Sequence, residues 1–247
     1  MIRTISPDGH RRLDHGLFQA RRIHPGAGGG DPDDGGFGGL GLIDHATLQP
    51  GLVVPMHKHR DDEIVSYLRA GGLRHADTTG REEEVRPDRL MVMNAGSGFS
   101  HEKAVPGQGE THMLQIFIRP HAVVLPPTIQ FHDLVEVRSA GRWRLLAGPE
   151  GSGAPTTIRQ QVRLHDVHLG AGEAIAVPRR EGHDLWLDVF AGAVRVGGVR
   201  LEKRHALAVT GDEPPLEVAA VAEADLVLFE VDQGAPATRA ETLSGRS

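Results

Sequence analysis

From Leu40 to Arg119 the chain consists of short apolar or alternating runs. They are separated at Gln49-Pro50-Gly51, Ala70-Gly71-Gly72, Thr78-Thr79-Gly80, Arg86-Pro87-Asp88, Asn94-Ala95-Gly96 and Pro106-Gly107-Gln108-Gly109. Runs of about 5 to 8 residues at this rhythm predict the strands of an all-β barrel or sandwich, with helices scarce. Met113-Leu114-Gln115-Ile116-Phe117-Ile118 is apolar on both faces and predicts a core strand.

The pattern then returns. Leu164 to Gly172 repeats the form of Ile43 to Gly51, and Leu185 to Gly192 that of Glu63 to Gly71. This degenerate internal repeat predicts two barrels in one chain. Residues 40–120 form the first and 161–232 the second, with 1–39 an N-terminal segment and Gly-rich loop, 121–160 a connector and 233–247 a disordered tail. The loop, His24 to Gly41, holds too little apolar surface to offset its ordering entropy and predicts a mobile surface segment. Gly36-Phe37-Gly38-Gly39-Leu40-Gly41 spells a dinucleotide-binding fingerprint. No strand pattern precedes it and no helix pattern follows, so it is discounted.

Composition narrows the function. With 27 Lys and Arg against 33 Asp and Glu, the net charge of -6 leaves no electrostatic footprint for a nucleic-acid backbone. The absence of cysteine removes disulfides and thiolate ligands. No apolar run approaches the roughly 20 residues of a membrane helix, and the N-terminal residues lack the apolar stretch of a secretory signal, which predicts a cytoplasmic protein.

The candidate chemistry lies at His57-Lys58-His59, followed by Arg60-Asp61-Asp62-Glu63 and answered by His101. On a strand, residues two apart project the same way about 7 Å apart, so the two imidazoles can grip one divalent transition metal. Among 15 histidines a chance pair is unremarkable, and only the surroundings lift this one. Gly51, His57-x-His59, Glu63 and Gly71-Gly72 resemble the first motif of the cupin superfamily. Pro55 to Arg60, Glu63 to Tyr67, Leu73 to Asp77, Arg86-Pro87 and Met93 to His101 resemble, in order and spacing, the blocks of the pirin family.

The resemblance implies two cupin barrels with a metal in the N-terminal one, on His57, His59, His101 and, in the general cupin manner, Glu63. The metal is commonly iron, while nickel, manganese, zinc or copper would suit the same donors. The family pattern places a metal-binding glutamate two residues after the last histidine, where this chain has Lys103. An ammonium beside a metal is opposed by like-charge repulsion. Three arrangements stay open. Glu63 supplies the carboxylate; Glu102 turns inward at a local bulge; or the site is metal-free, with Lys103 paired to Glu63 or Glu102. His75, in the Leu73 to Asp77 block, reads as a support for the barrel. In the second copy Pro178, Arg180 and Asp184 stand opposite His57, His59 and Glu63, so its ligand set is lost and His183 reads as structural.

Two functions follow from the resemblance. One is a dioxygenase of phenolic small molecules of the quercetin 2,3-dioxygenase type, with Glu63 or Glu102 as ligand or base. The other is a non-catalytic sensor in which metal state or a bound metabolite alters contact with a regulatory protein partner.

Overall fold

A computed structural model describes residues 1–28, 35–239 and 241–245. The first half contributes β1 (Ile2–Ile5), β2 (Arg11–His15), β3 (Phe18–Ile23), β4 (Leu40–Leu48), β5 (Val53–His59) and β6 (Glu63–Ala70). It continues with β7 (Leu73–Asp77), β8 (Glu82–Val85), β9 (Arg89–Asn94), β10 (Phe99–Ala104), β11 (Thr111–Ile118) and β12 (Thr128–Asp133). Two sheets face each other, one in the order β12-β9-β6-β11-β4-β3-β2 and the other β5-β10-β7-β8. The second half adds β13 (Arg144–Gly148), β14 (Thr156–Thr157), β15 (Val162–Leu169), β16 (Ala174–Ala176) and β17 (Asp184–Val196). It ends with β18 (Val199–Glu202), β19 (Ala206–Val209) and β20 (Glu217–Val231). Here the order is β1-β19-β17-β20-β15-β13-β14, with β16 on β20 and β18 on β17.

The triplets β6-β11-β4 and β17-β20-β15 are the same antiparallel motif built twice, and both explain why their sequences are apolar on two faces. Along β11, Met113, Gln115 and Phe117 point into the first barrel, where they line a cavity. Leu114, Ile116 and Ile118 point out and join Val65, Tyr67, Trp186 and Phe229 in one buried cluster shared by both barrels. Strand alternation makes each of these strands serve two cores. Each fully buried large side chain contributes about 1.5–3 kcal/mol, so the seam between the barrels is a core in its own right. Tyr67 adds a hydrogen bond across it, its hydroxyl donating to Asp166 at 2.9 Å.

Three expectations are revised. The first strand, β1, belongs to the second barrel's sheet and pairs with β19, while β2 and β3 extend the first barrel. The Gly-rich stretch was expected to be mobile. Residues 29–34 lie outside the described residues, but Phe37 and Leu40 on its far side are fully buried, and Phe37 packs on Trp186 with ring centroids 5.9 Å apart. Its glycines serve close approach: a Cβ on Gly36 would stand 2.3 Å from the Arg119 guanidinium and one on Gly39 2.4 Å from Gln160. The tail expected to be disordered folds back over residues 241–245, with Thr242 buried and Ser244 accepting from Arg119 Nε at 3.0 Å.

Candidate metal centre

His57 and His59 flank the outward Lys58 on β5, so both rings turn the same way. On the neighbouring β10, His101 stands directly opposite His57 and Phe99 opposite His59. The three imidazole centroids lie 4.6 to 5.2 Å apart. His57 Nε2 and His101 Nε2 are 3.1 Å from each other. All three ligand nitrogens lie within 4.8 Å, the one such group among the described residues.

Each ring has a partner on its other nitrogen, and these partners set the tautomers. His57 Nδ1 donates to the Pro55 carbonyl at 2.8 Å, which leaves Nε2 with its lone pair. Asp77 accepts from His75 Nε2 at 3.1 Å; His75 Nδ1 must then accept from His101 Nδ1 at 3.3 Å, and His101 Nε2 is freed in turn. The relay is anchored by Thr79, whose backbone N–H donates to Asp77 at 2.8 Å. Burial opposes ionisation of Asp77, but hydrogen bonds from Thr79 and His75 outweigh it and hold the carboxyl below its usual range. His59 Nδ1 lies 3.4 Å from Asp62, whose carboxylate also accepts from the Leu243 N–H at 3.0 and 3.1 Å. Outer partners of this kind orient metal-binding imidazoles. Burial depresses the pKa of His57 and, far more, of His101, where Lys103 adds repulsion. Both rings are therefore neutral donors at neutral pH.

The cluster opens on a cavity of about 250 Å³ in the first barrel, walled by Leu52, Val54, Met113, Phe117 and Leu243, with Lys103, Gln115 and the Arg22–Asp44 pair as its polar features. Arg22 grips Asp44 with two hydrogen bonds of 2.8 and 2.7 Å.

The Pirin family model matches residues 37–118, and a model described as the quercetinase C-terminal cupin domain matches residues 145–231. A Pseudomonas aeruginosa protein provisionally named a quercetin 2,3-dioxygenase is 31% identical over 219 residues, covering 88% of this chain and 94% of the relative. The chain belongs to the pirin family. The quercetin 2,3-dioxygenase of Escherichia coli K12 is 26% identical over 235 residues, or 93% of this chain and 97% of that one. The bacterial pirin YhhW of Escherichia coli, solved in complex with nickel(II), superposes with a TM-score of 0.81 at 24% identity, covering 94% of this chain and 99% of that one. The architecture is that of a two-barrel cupin, a bicupin.

Within this pirin fold neither carboxylate expected at the centre is beside it. Glu63 begins β6 on the face that looks to the connector, and its Oε2 accepts from the backbone N–H of Arg159 at 2.8 Å and of Gln160 at 3.3 Å. The turn between His59 and Glu63, with Asp61 at φ 60°, separates them in direction. Glu102 stays outward, 3.5 Å from Arg74. A bulge does exist beside it, since His101 faces His57 but Lys103 faces Val54; the extra residue, however, is in β5 near Pro55, which has no N–H to pair. Against β7 the register of β10 is unbroken, and its alternation is kept. Lys103 consequently points into the cavity, where it hydrogen-bonds Gln115 rather than Glu63 or Glu102, and burial lowers its pKa to about 8.

In the second barrel Arg180 N–H donates to Glu230 at 2.7 Å, Asp184 accepts from Gly211 N–H at 3.0 Å, and His183 lies beside Arg163 at 3.3 Å. Sequence reasoning passed over Asp62, Gln115 and Leu243. Only Asp62 had a signal, three residues beyond His59 in an acidic turn.

Glu63 has a thermodynamic signature. Burial raises its carboxyl to about 7 against the pull of the two backbone N–H groups. Between the unfolded value near 4.5 and 7 the folded chain holds a proton that the unfolded chain has lost, so stability falls as pH rises through that window. Urea unfolding of wild type and Glu63→Gln is expected to show about 2 kcal/mol more loss from pH 5 to 7.5 in the wild type. Equal losses in both proteins would show that Glu63 keeps an ordinary pKa.

Proposed function

We propose that the protein is a metal-dependent dioxygenase of flavonol-type phenols, with the metal held by His57, His59 and His101. The observation that carries this reading is the convergence of three imidazoles, each with Nδ1 engaged, at the edge of an apolar cavity. The donor set suits iron or nickel. When bound, such an ion supplies Lewis acidity toward a phenolic oxygen.

The chain's residues do the rest. Met113, Phe117 and Leu52 take a flat aromatic body and exclude water. The Lys103 ammonium, held by Gln115, favours a phenolate oxygen over the phenol. The Asp62 and Asp77 carboxylates keep the imidazoles in register. Relatives named quercetin 2,3-dioxygenase support the substrate class.

Protein reconstituted in turn with iron(II), nickel(II) and manganese(II) is expected to take up dioxygen in step with the loss of quercetin absorbance. One observation favours a second reading: Lys103 brings a positive charge to a site for a cation. Full metal occupancy with no dioxygen uptake above a protein-free blank would point instead to a non-catalytic, metal-responsive or metabolite-responsive regulator.

A further inference from the structure

A second polar pocket lies on the opposite side of β4 from the cavity. Asp44, Ala46 and Leu48 face the histidines, while His45 and Thr47 alternate outward to this pocket. Its volume is about 160 Å³, and Arg12, Gln19, Arg21, His45, Thr47 and Arg204 line it. Both barrels contribute, because Arg204 comes from the turn between β18 and β19.

The charges here do not balance. Arg12 stands directly across from Arg21, and Arg21 directly across from His45. Like charges placed directly opposite in a sheet, as the guanidiniums of Arg12 and Arg21 are, oppose folding. One residue along, Arg22 stands across from Asp44 and is fully satisfied, so the local fold can pair an arginine when pairing is all that is needed. On the pocket side Arg12 reaches only the exposed Asp14, at 3.4 Å. The buried Asp188 is engaged by His45 through Oδ2 at 3.2 Å, while its Oδ1 is without a hydrogen bond. Among the described residues neither Arg21 nor Arg204 has an ion-pair partner, and Arg204 Nε is buried without a hydrogen bond. Both ring nitrogens of the buried His10 are also unpartnered. Arg21 and Arg204 each disfavour charge on His10, whose pKa burial lowers to about 4. Arg204 is further held with φ at 71°, a left-handed conformation unfavourable to an arginine.

We propose that this pocket is a binding site for a phosphate group, carried by free phosphate or by a small phosphate monoester. Two or three guanidinium forks matched to several equivalent oxygens are the usual means of holding such an anion. A bound dianion removes the opposition between Arg12 and Arg21, gives the Arg204 guanidinium a counter-charge and ties the second barrel's turn to β3. Gln19 and Thr47 add uncharged donors at the rim. A carboxylate would leave one of the guanidiniums unmatched.

The test is calorimetric titration of the metal-loaded full chain with sodium phosphate and with glycerol 3-phosphate, at constant ionic strength maintained with sodium chloride. Saturable binding is expected, with Arg21→Gln and Arg204→Asn each weakening it by about tenfold or more; asparagine tolerates the left-handed backbone at 204. Tighter binding of glycerol 3-phosphate identifies the ligand as a phosphorylated metabolite; equal or weaker binding identifies the free ion. Without phosphate, Arg21→Gln is expected to melt no lower than wild type, since it removes a repulsion, whereas a merely structural arginine would lower the melting temperature. Heats no different from those of chloride, or unchanged phosphate affinity in both variants, would overturn the assignment.

Discussion

Chain carrying both His57→Ala and His59→Ala is expected to retain no metal after dialysis against a chelator, with affinity lower by about four orders of magnitude or more. Two of the three converging donors are removed, and His101 alone, hydrogen-bonded to His75, offers a single nitrogen. The loss should be specific to the first barrel. His183→Ala, at the corresponding region of the second barrel, should leave metal content unchanged because His183 is occupied by Arg163 and the Glu181 carbonyl. Elemental analysis of the three proteins, with circular dichroism to show that the barrels persist, decides the matter. Full occupancy in the double variant would place the metal elsewhere.

Lys103→Glu is expected to act in the opposite direction. The side chain at 103 faces the cavity beside Gln115, and its ammonium depresses the basicity of His101. The substitution changes the local charge by two units and supplies a carboxylate where the family pattern has one. A single neighbouring charge moves an ionic equilibrium by about 1–3 log units, so metal affinity should rise about 100-fold or more. Competition with a chelator at fixed pH measures the change. Lys103→Met, which removes the charge without adding a ligand, should fall between the two. Equal affinity in all three would mean that the ammonium does not act on the histidines.

How far the sequence could be read varied with how local each determinant was. Strand rhythm and the two-faced apolar runs identified the barrels because alternation is a property of adjacent residues. His57 and His59 were legible for the same reason. His101 was not, since its place beside β5 depends on register between strands far apart in the chain, and it was reached through family resemblance. Glu63 and Glu102 were misplaced for distinct reasons. Glu63 lies beyond a turn with a left-handed residue at Asp61, which decides the face its strand presents. Glu102 would turn inward only if the bulge lay in its own strand, and the bulge is carried by the partner strand. The tail's composition hid a single apolar anchor, Leu243, whose N–H is claimed by a carboxylate 181 residues earlier.

The placement of β1 bears on how the chain is made. β1 finds its partner only when Ala206–Val209 has been synthesised, and until then the residues that complete the second sheet wait beside a first barrel whose own strands are already made. So long a sequence separation between paired strands slows folding. It also ties β1 to the later of the two sheets at its edge: Thr210 N–H donates to the Met1 carbonyl at 2.8 Å. A bulky group attached beside β1 would therefore sit on the second barrel's sheet and would burden closure of that sheet rather than access to the metal.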